Sequence, residues 1–377
     1  MTAQTTTTAT RVEIRGGELL DALAAIKPLL SRRKRSLPWE RCVHLLVGAS
    51  EARLECNTGE AAVTVALEGA SGSSDVWVDA QDLQRALSTH ADRRGARSRV
   101  GLELTVTDDT VTVLGPNGSS TVDVADADAM LSEITPARAT LVVDRDTFAQ
   151  DMAAAAVCTE SGASALPILT GIFLHDGKIA ATDRYRLAFI DLKGTGTLPG
   201  VVVPSDLAKI LKIARGETVS IGTDGDRVTV RAEGITATLR CVEGQYPKVV
   251  NICGKVEHSG APQANLHREV LVDLLKPFAG GRHVVTFTPD DGHIEITVRE
   301  TGTGDDVSPA ATSRSSMAEG DDFEHPICFN SGYLLEILKV LTGPTVTMRV
   351  PAPLKPAGFI GADPHRLMVL QPVRLAS

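Results

Sequence analysis

Aromatic side chains are scarce in this chain: eight Phe, three Tyr and two Trp make up 3% of its 377 residues. A groove that stacks successive unpaired bases needs such rings along a basic track, so single-strand nucleic-acid binding of that kind is not expected. Long apolar runs are missing too, and no stretch approaches the roughly 18 residues that a membrane span requires. Cys42, Cys56, Cys158, Cys241, Cys253 and Cys328 are dispersed, with no Cys-x-x-Cys pair to frame a zinc site or a disulfide scaffold. They read as reduced and mostly buried. There is no Gly-x-x-x-x-Gly-Lys-Ser/Thr loop, no Gly-x-Gly-x-x-Gly after a strand, no His-Glu-x-x-His helix and no Gly-x-Ser-x-Gly elbow. The nine histidines are scattered, so no metal site, cofactor or catalytic constellation is expected. Residues 1–10, "MTAQTTTTAT", lack the basic start and apolar centre of a secretory signal and read as a disordered tail on a cytoplasmic protein.

What the sequence does contain is a repeat. A short apolar strand followed by a helical pattern occurs at Val76–Leu87, Val201–Leu211 and Ile327–Leu338, and the end points are 124 and 127 residues apart. A second strand–helix pattern precedes each of these, starting at Arg11, Thr140 and Ala264, with spacings of 129 and 124. Segments with period-two apolar alternation follow, such as "DTVTVLG" from Asp109 and "DRVTVRAEG" from Asp226, which suits half-buried antiparallel sheet. Pro136 and the turn-rich segment 254–263 separate the thirds. The expected division is a tail over 1–10 and three domains over 11–135, 138–256 and 263–377, each with two short helices and many strands. Asn117 reads as a hairpin turn, and 300–322 as a long mobile loop.

Charge is distributed unevenly. The net charge of −9 argues against phosphate contact at first sight. The six helical segments nevertheless carry 18 basic against 13 acidic residues, a surplus of five, so the remainder carries −14. The basic residues of interest are Arg32, Arg33, Lys34, Arg35, Arg85, Arg93, Arg94, Arg97, Lys209, Lys212, Arg215, Lys276, Arg282 and Lys339. Solvated helix faces are one reading of them. The other is a shared positive surface for polyanion backbone, without sequence readout, because local fields dominate over net charge within about 10 Å.

Residues 182–188, "TDRYRLA", preceded by "LTGIFLH" from Leu169, followed by "EGQYP" from Glu243 and matched to the ending "LMVLQPVRLAS", resemble the bacterial DNA polymerase III beta subunit family, the sliding clamps. "LLDALAAIKPLLSRRKRSLPW" is similar to that family's first helix and Leu-Pro turn. The resemblance spans essentially the whole chain. It implies an α+β fold of three similar clamp domains, each with two helices packed on antiparallel sheets, in a head-to-tail dimeric ring that encircles double-stranded DNA. It implies no enzymatic activity and no cofactor. The partners it implies are the polymerase catalytic subunit, the clamp loader and repair factors, which bind through short linear peptides.

By position, the resemblance places the peptide pocket at Leu169, Thr182, Arg184, Tyr185, Arg186, Leu187, Pro247, Ile252, Val369, Pro372, Val373 and Arg374. Apolar members would take a Leu or Phe anchor, while Arg186 and Arg374 would hold backbone or carboxylate groups. The plainer alternative makes Leu187, Phe189 and Ile190 strand core and pairs the arginines with Asp183 and Asp191. The dimer contact is expected where the edge strand with Val122 and Val124 meets Leu275 and Phe278 of a second chain. Gln371 and the "QYPKVVN" segment depart from the family pattern, which leaves open a duplicate clamp that confers resistance to a clamp-directed inhibitor, a viral clamp, or a protein scaffold. A further alternative is an enzyme with a cleft around Asp183 and Arg186.

Overall fold

The structure is a computed structural model that describes residues 9–31, 33, 35–126, 134–161, 166–249, 252–253, 256, 261–280, 283–300, 310–316, 325–352 and 354–374. The expected DNA-facing residues Arg32, Lys34 and Arg282 lie outside these, as does most of the expected tail. Contacts divide the chain into two compact units. One comprises Met1–Asp146, Gly194–Leu198 and Asp206–Cys241, and the other Thr147–Lys193, Pro199–Ser205 and Val242–Ser377.

All six expected strand–helix steps are present. The strands Thr10–Arg15, Leu141–Asp144 and Gln263–His267 lead into the helices Gly16–Ile26, Arg145–Ala156 and Arg268–Leu275. The strands Ser74–Asp79, Val201–Pro204 and Ile327–Asn330 lead into Ala80–His90, Leu207–Ile210 and Ser331–Val340. Local chemistry explains several of these starts. Asp79 accepts the N–H groups of Gln81 and Asp82, and Asn330 that of Tyr333, so each satisfies donors that a first helical turn leaves free. The Leu207–Ile210 helix is a single α-turn continued by the 3-10 turn Leu211–Ile213.

The first unit holds two antiparallel sheets. One runs Ser71–Gly72, Thr10–Arg15, Gly101–Val106, Thr110–Gly115, Gly118–Asp123. The other has nine strands in the order Gly194–Gly196, Leu141–Asp144, Arg215–Thr223, Arg227–Glu233, Ile235–Arg240, Ala61–Ala66, Ala52–Asn57, Cys42–Val47, Ser74–Asp79. Alternating burial along Thr10–Arg15 and along Ala61–Ala66 gives each of the two sheets one buried face, and the helix residues Leu19, Leu23, Ile26, Leu83 and Leu87 are buried as well.

In the second unit an eight-stranded sheet runs Val201–Pro204, Gly171–His175, Lys178–Thr182, Arg186–Asp191, Arg366–Leu370, Ala357–Ile360, Thr345–Arg349, Gln263–His267. A four-stranded sheet runs Ala311–Ser316, His293–Glu300, His283–Asp290, Ile327–Asn330. Phe287, Phe329 and Phe359 meet edge-on in the core, at centroid distances of 6.0 and 5.4 Å.

One expectation is corrected here. The segment 300–322 is not wholly loop, because Ala311–Ser316 pairs antiparallel with His293–Val298. Its Ser, Thr and Arg side chains give no apolar alternation, and an edge strand is held by backbone bonds that composition does not reveal. The turn at Pro116–Asn117 lies where expected, between the paired strands Thr110–Gly115 and Gly118–Asp123.

The strand order obeys a rule. Each repeat contributes two half-sheets, and where repeats join, the last strand of one half-sheet pairs with the last strand of another from the next repeat. Ala61–Ala66 thus pairs with Ile235–Arg240, and Arg186–Asp191 with Arg366–Leu370. By the same position in the repeat, Gly118–Asp123 and Ala311–Ser316 have no second neighbour strand among the described residues, and each ends its sheet.

Candidate functional site

The segment 182–186 is a hairpin turn stapled by its own side chains. Thr182 and Arg186 flank it at the ends of the paired strands Lys178–Thr182 and Arg186–Asp191. The Thr182 hydroxyl donates to the Arg186 carbonyl at 2.7 Å and accepts the Arg184 N–H at 3.1 Å. Asp183 Oδ1 accepts the N–H groups of Tyr185 (2.9 Å) and Arg186 (2.6 Å), and its Oδ2 accepts Arg186 Nε at 2.8 Å. These are charge-assisted bonds in a buried setting, where they are strong. The guanidinium of Arg186 also pairs with Glu336 and lies 4.3 Å from the ring centroid of Tyr333. Burial works against the charge on Arg186, but the surrounding negative groups, Asp183 foremost and Glu336 with it, together raise the pKa above its ordinary value.

All three tyrosines of the chain meet this turn. Tyr246 accepts the Thr182 N–H through its hydroxyl at 3.0 Å, Tyr185 stands in the turn, and Tyr333 carries Arg186 on its face. Burial pushes the hydroxyl pKa of both Tyr246 and Tyr333 up. Tyr333 and Glu336 were not singled out in the sequence. Rarity of tyrosine was the available signal for the first, and nothing local marks the second.

The terminal segment closes the site. Gln371 N–H donates to the Tyr185 carbonyl at 2.8 Å, and Val373 N–H to the Cys328 carbonyl at 2.8 Å. Leu187 pairs with Val369 across the sheet. Leu169, Leu187 and Val369 belong to one apolar cluster with Ala180, Phe189, Tyr246, Val249 and Leu367. The structure places the expected pocket residues at different depths. Leu187 and Val369 are buried on their strands, Leu169 is buried in the 3-10 turn Pro167–Thr170, and Pro372 is buried in the terminal segment. Arg186, only 8% exposed, is consumed by Asp183 and Glu336 and is not free to hold a ligand carboxylate. Asp183, with both oxygens engaged, staples the turn and is not an acid or base open to a substrate. The residues of the expected set that reach solvent are Arg184, Tyr185 (56% exposed), Pro247, Ile252 (42% exposed) and Arg374, with Val373 half-buried.

The basic residues fall into two groups. Arg93, Arg94, Lys212 and Arg215 share a cleft of about 510 Å3 in the first unit, lined also by Arg15, Arg99, Glu18, Asp21 and Glu68. Arg15 and Arg99 were not expected there. Arg93 pairs with Asp21 at 2.7 Å and Arg215 with Glu68 at 2.9 Å. Arg15, Arg94, Arg99 and Lys212 have no ion-pair partner among the described residues. Burial raises the Glu18 pKa, which weakens that side chain as a counter-charge. The second group lies outside this cleft. Arg85 pairs with Asp82, Arg97 with Asp92, Lys209 with Asp206 and Lys276 with Asp273, exposed pairs of small energy that open readily to a competing anion. Arg33, Arg35 and Lys339 are exposed.

The expected dimer residues differ in exposure. Leu275, on the helix Arg268–Leu275, is fully buried, and Val122, on the strand Gly118–Asp123, is nearly so. Val124 forms a bridge to Val78. Phe278 is half-buried against His283, with ring centroids 5.1 Å apart. The Gly118–Asp123 strand lies at the end of its sheet.

No protein-family model matches the chain. Among curated proteins it is 26% identical over 226 residues to the beta sliding clamp of Caulobacter vibrioides, a match covering 55% of this chain and 58% of the relative. The chain thus spans little more than half the length of the curated relatives it matches. The crystal structure of the DNA polymerase III beta subunit from Thermotoga maritima superposes with a TM-score of 0.75 at 18% identity, covering 97% of this chain and 100% of that one. A sliding clamp from Bartonella birtlesii bound to griselimycin gives 0.74 at 18% identity, over 97% and 100%. The fold is that of the sliding clamps, and the resemblance drawn from the 182–188 segment and the terminus is borne out.

Proposed function

We propose that this chain is a DNA sliding clamp: two copies join head to tail into a ring that encircles duplex DNA and tethers partner proteins through short linear peptides. The observation that carries this reading is the pair of unsatisfied sheet edges. Within the chain, two repeat junctions are made by one kind of strand pair, and among the described residues the members of that pair left open are Gly118–Asp123 and Ala311–Ser316. Pairing these strands between two chains would extend a five-stranded sheet by a four-stranded one, giving nine strands as in the junction already present. Open edges are normally blunted or paired, and a heterologous contact that closes on itself makes a ring. The domains of this reading are 11–135, 138–256 and 263–377.

The cleft with Arg15, Arg94, Arg99 and Lys212 supplies loose phosphate attraction, with the remaining basic residues adding to it. Such contacts exchange easily and read no base, so a ring can slide. The turn at 182–186 and the terminal segment form the peptide site, with the exposed Tyr185, Ile252, Pro247 and Arg374 as its contact surface. Tethering a replicative polymerase makes this a processivity factor without an active site, working in the cytoplasm. The test is retention on nicked circular plasmid. A loaded ring stays on the circle through gel filtration and is released when the plasmid is linearised. Equal retention on linear and circular DNA would refute encirclement.

A further inference from the structure

Arg15, Arg93, Arg94, Arg99, Lys212 and Arg215 line one cleft of about 510 Å3, and all of them belong to the first unit. They come from separate parts of the chain. Arg15 ends the strand Thr10–Arg15, Arg93 and Arg94 follow the helix Ala80–His90, Arg99 closes the 3-10 turn Ala96–Arg99, Lys212 stands in the 3-10 turn Leu211–Ile213, and Arg215 opens the strand Arg215–Thr223. Folding alone brings them together. Like charges gathered on a concave wall repel one another and focus their field into it, a tension that is relieved when an anion fills the space.

The acids of the cleft do not relieve it. Only Glu18, Asp21 and Glu68 lie there. Asp21 is taken by Arg93 at 2.7 Å and Glu68 by Arg215 at 2.9 Å. Glu18 reaches Arg215 only at 3.9 Å and accepts the Glu68 N–H, while burial raises its pKa and so weakens its charge. Arg15, Arg94, Arg99 and Lys212 are exposed and make no ion pair among the described residues. Arg215 Nε is shut off from solvent and has no hydrogen-bond partner among those residues either. Buried donors are ordinarily satisfied, so an orphan on a residue that lines a cleft points to a group from outside the chain.

The shape narrows the choice of anion. A double helix carries its phosphates on a convex cylinder and meets the rim of a concavity, whereas a short phosphate chain enters and is met from several sides. The volume suits the latter, since small-ligand sites span about 300–1,000 Å3. No aromatic ring lines the cleft, and its larger apolar members are Val65 and Ile213, so nothing there stacks a base. Phosphate charge is what it can read.

We propose that this cleft binds a soluble linear polyphosphate of three or more phosphates, inorganic or carried by a nucleotide, without regard to the base. Guanidinium forks hold phosphate oxygens through charge-assisted, paired hydrogen bonds. A bound polyphosphate neutralises cations that otherwise attract the DNA backbone, and the two therefore compete. This inference stands on a cleft within one unit and does not need the ring.

Isothermal titration calorimetry on the full-length protein, in low-salt buffer with EDTA to keep phosphates free of magnesium, uses inorganic tripolyphosphate as the probe. It is expected to bind about 10-fold tighter than pyrophosphate and at least about 30-fold tighter than orthophosphate, as each further phosphate meets another cation. ATP and GTP should agree within about threefold, because the base is not read. Arg94→Gln with Arg99→Gln should weaken tripolyphosphate by about 10-fold or more, and thermal melts should not move, since both side chains are exposed and unpaired. Lys193→Gln with Lys355→Gln removes the same charge from exposed positions of the other unit and should change binding by less than about twofold. An equal loss in both double variants, or displacement of tripolyphosphate by sulfate at matched ionic strength, would overturn the proposal in favour of unspecific charge attraction. A short linear duplex, labelled and bound at low salt, supplies the second arm. Tripolyphosphate should displace it from the wild-type protein; a duplex weakened by the Arg94 and Arg99 substitutions together with no tripolyphosphate binding would assign the cleft to DNA backbone and overturn the proposal. Retention on circular plasmid reports the ring separately, so either reading can fail without the other.

Discussion

Replacing Asp183 by Asn tests how the 182–186 turn is held. The carboxylate accepts two backbone N–H groups at Oδ1 and the Arg186 guanidinium at Oδ2. Asparagine is nearly isosteric and keeps the first pair of bonds, but it sets an amide or an uncharged oxygen against the guanidinium. Both side chains are less than a tenth exposed, at 9% for Arg186 and 7% for Asp183. Removing one partner of a buried pair typically costs about 3–5 kcal/mol, because the other charge is left uncompensated. Here Glu336 remains on Arg186, although its own side chain is 54% exposed, so only part of the loss is offset. An expected cost of about 2–3 kcal/mol follows for Asp183→Asn, and about 4 for Asp183→Ala, which also orphans the two backbone donors.

The chain supplies its own reporters. Tyr185, Tyr246 and Tyr333 all lie in the unit that contains the turn, while Trp39 and Trp77 lie in the other. Urea unfolding followed by near-ultraviolet tyrosine dichroism should therefore show a midpoint lower by about 1 M in Asp183→Asn, taking a slope of about 2–3 kcal/mol/M. Adding Arg186→Met should recover at least half of the loss, since no buried charge then stands alone. A midpoint within about 0.5 kcal/mol of wild type, or strict additivity in the double variant, would refute the view that this pair holds the turn.

Charge reversal in the cleft, with Arg94→Glu and Lys212→Glu together, should weaken association with duplex DNA and lower the slope of log affinity against log salt by about two. Retention on circular plasmid should still exceed that on linear DNA, and loss of that difference would count against a purely electrostatic role. His44 lies between Glu55 (3.0 Å) and Asp75 (2.7 Å), stacked on Trp77 with centroids 4.7 Å apart. Burial alone would lower its pKa, but the two carboxylates more than reverse this and raise it above 6.5. A raised folded value means that its stabilisation is complete below the unfolded value and fades as pH climbs through the folded one. Tryptophan-detected unfolding should accordingly shift to lower urea between about pH 6 and 8, and His44→Gln should remove that slope; parallel slopes would refute it. Gly16 brings the first helix against Ala91, and a Cβ there would lie 2.3 Å from the Ala91 Cβ. Gly16→Ala should cost about 1–3 kcal/mol by overpacking, with Ala91→Gly restoring most of it in a double-mutant cycle.

Much of the architecture was written locally. Apolar alternation, the Asp79 and Asn330 caps and the Asp-Gly turns act within a few residues, so the strand–helix steps and their threefold recurrence could be read along the chain. The turn at Thr182–Arg186 was legible for the same reason, as its staples span at most four positions. Tertiary structure decided what lies across distance. Glu336 reaches Arg186 from 150 residues away, and Asp151 meets the buried Arg366 from 215. No local pattern tells a buried Leu187 or Leu275 from one that faces a partner, since exposure depends on which distant strand pairs beside it. The edge strand Ala311–Ser316 has no apolar signature and is paired through its backbone with His293–Val298. Periodicity is set by the covalent chain, whereas burial, ion pairing and open edges are set by what packs against it.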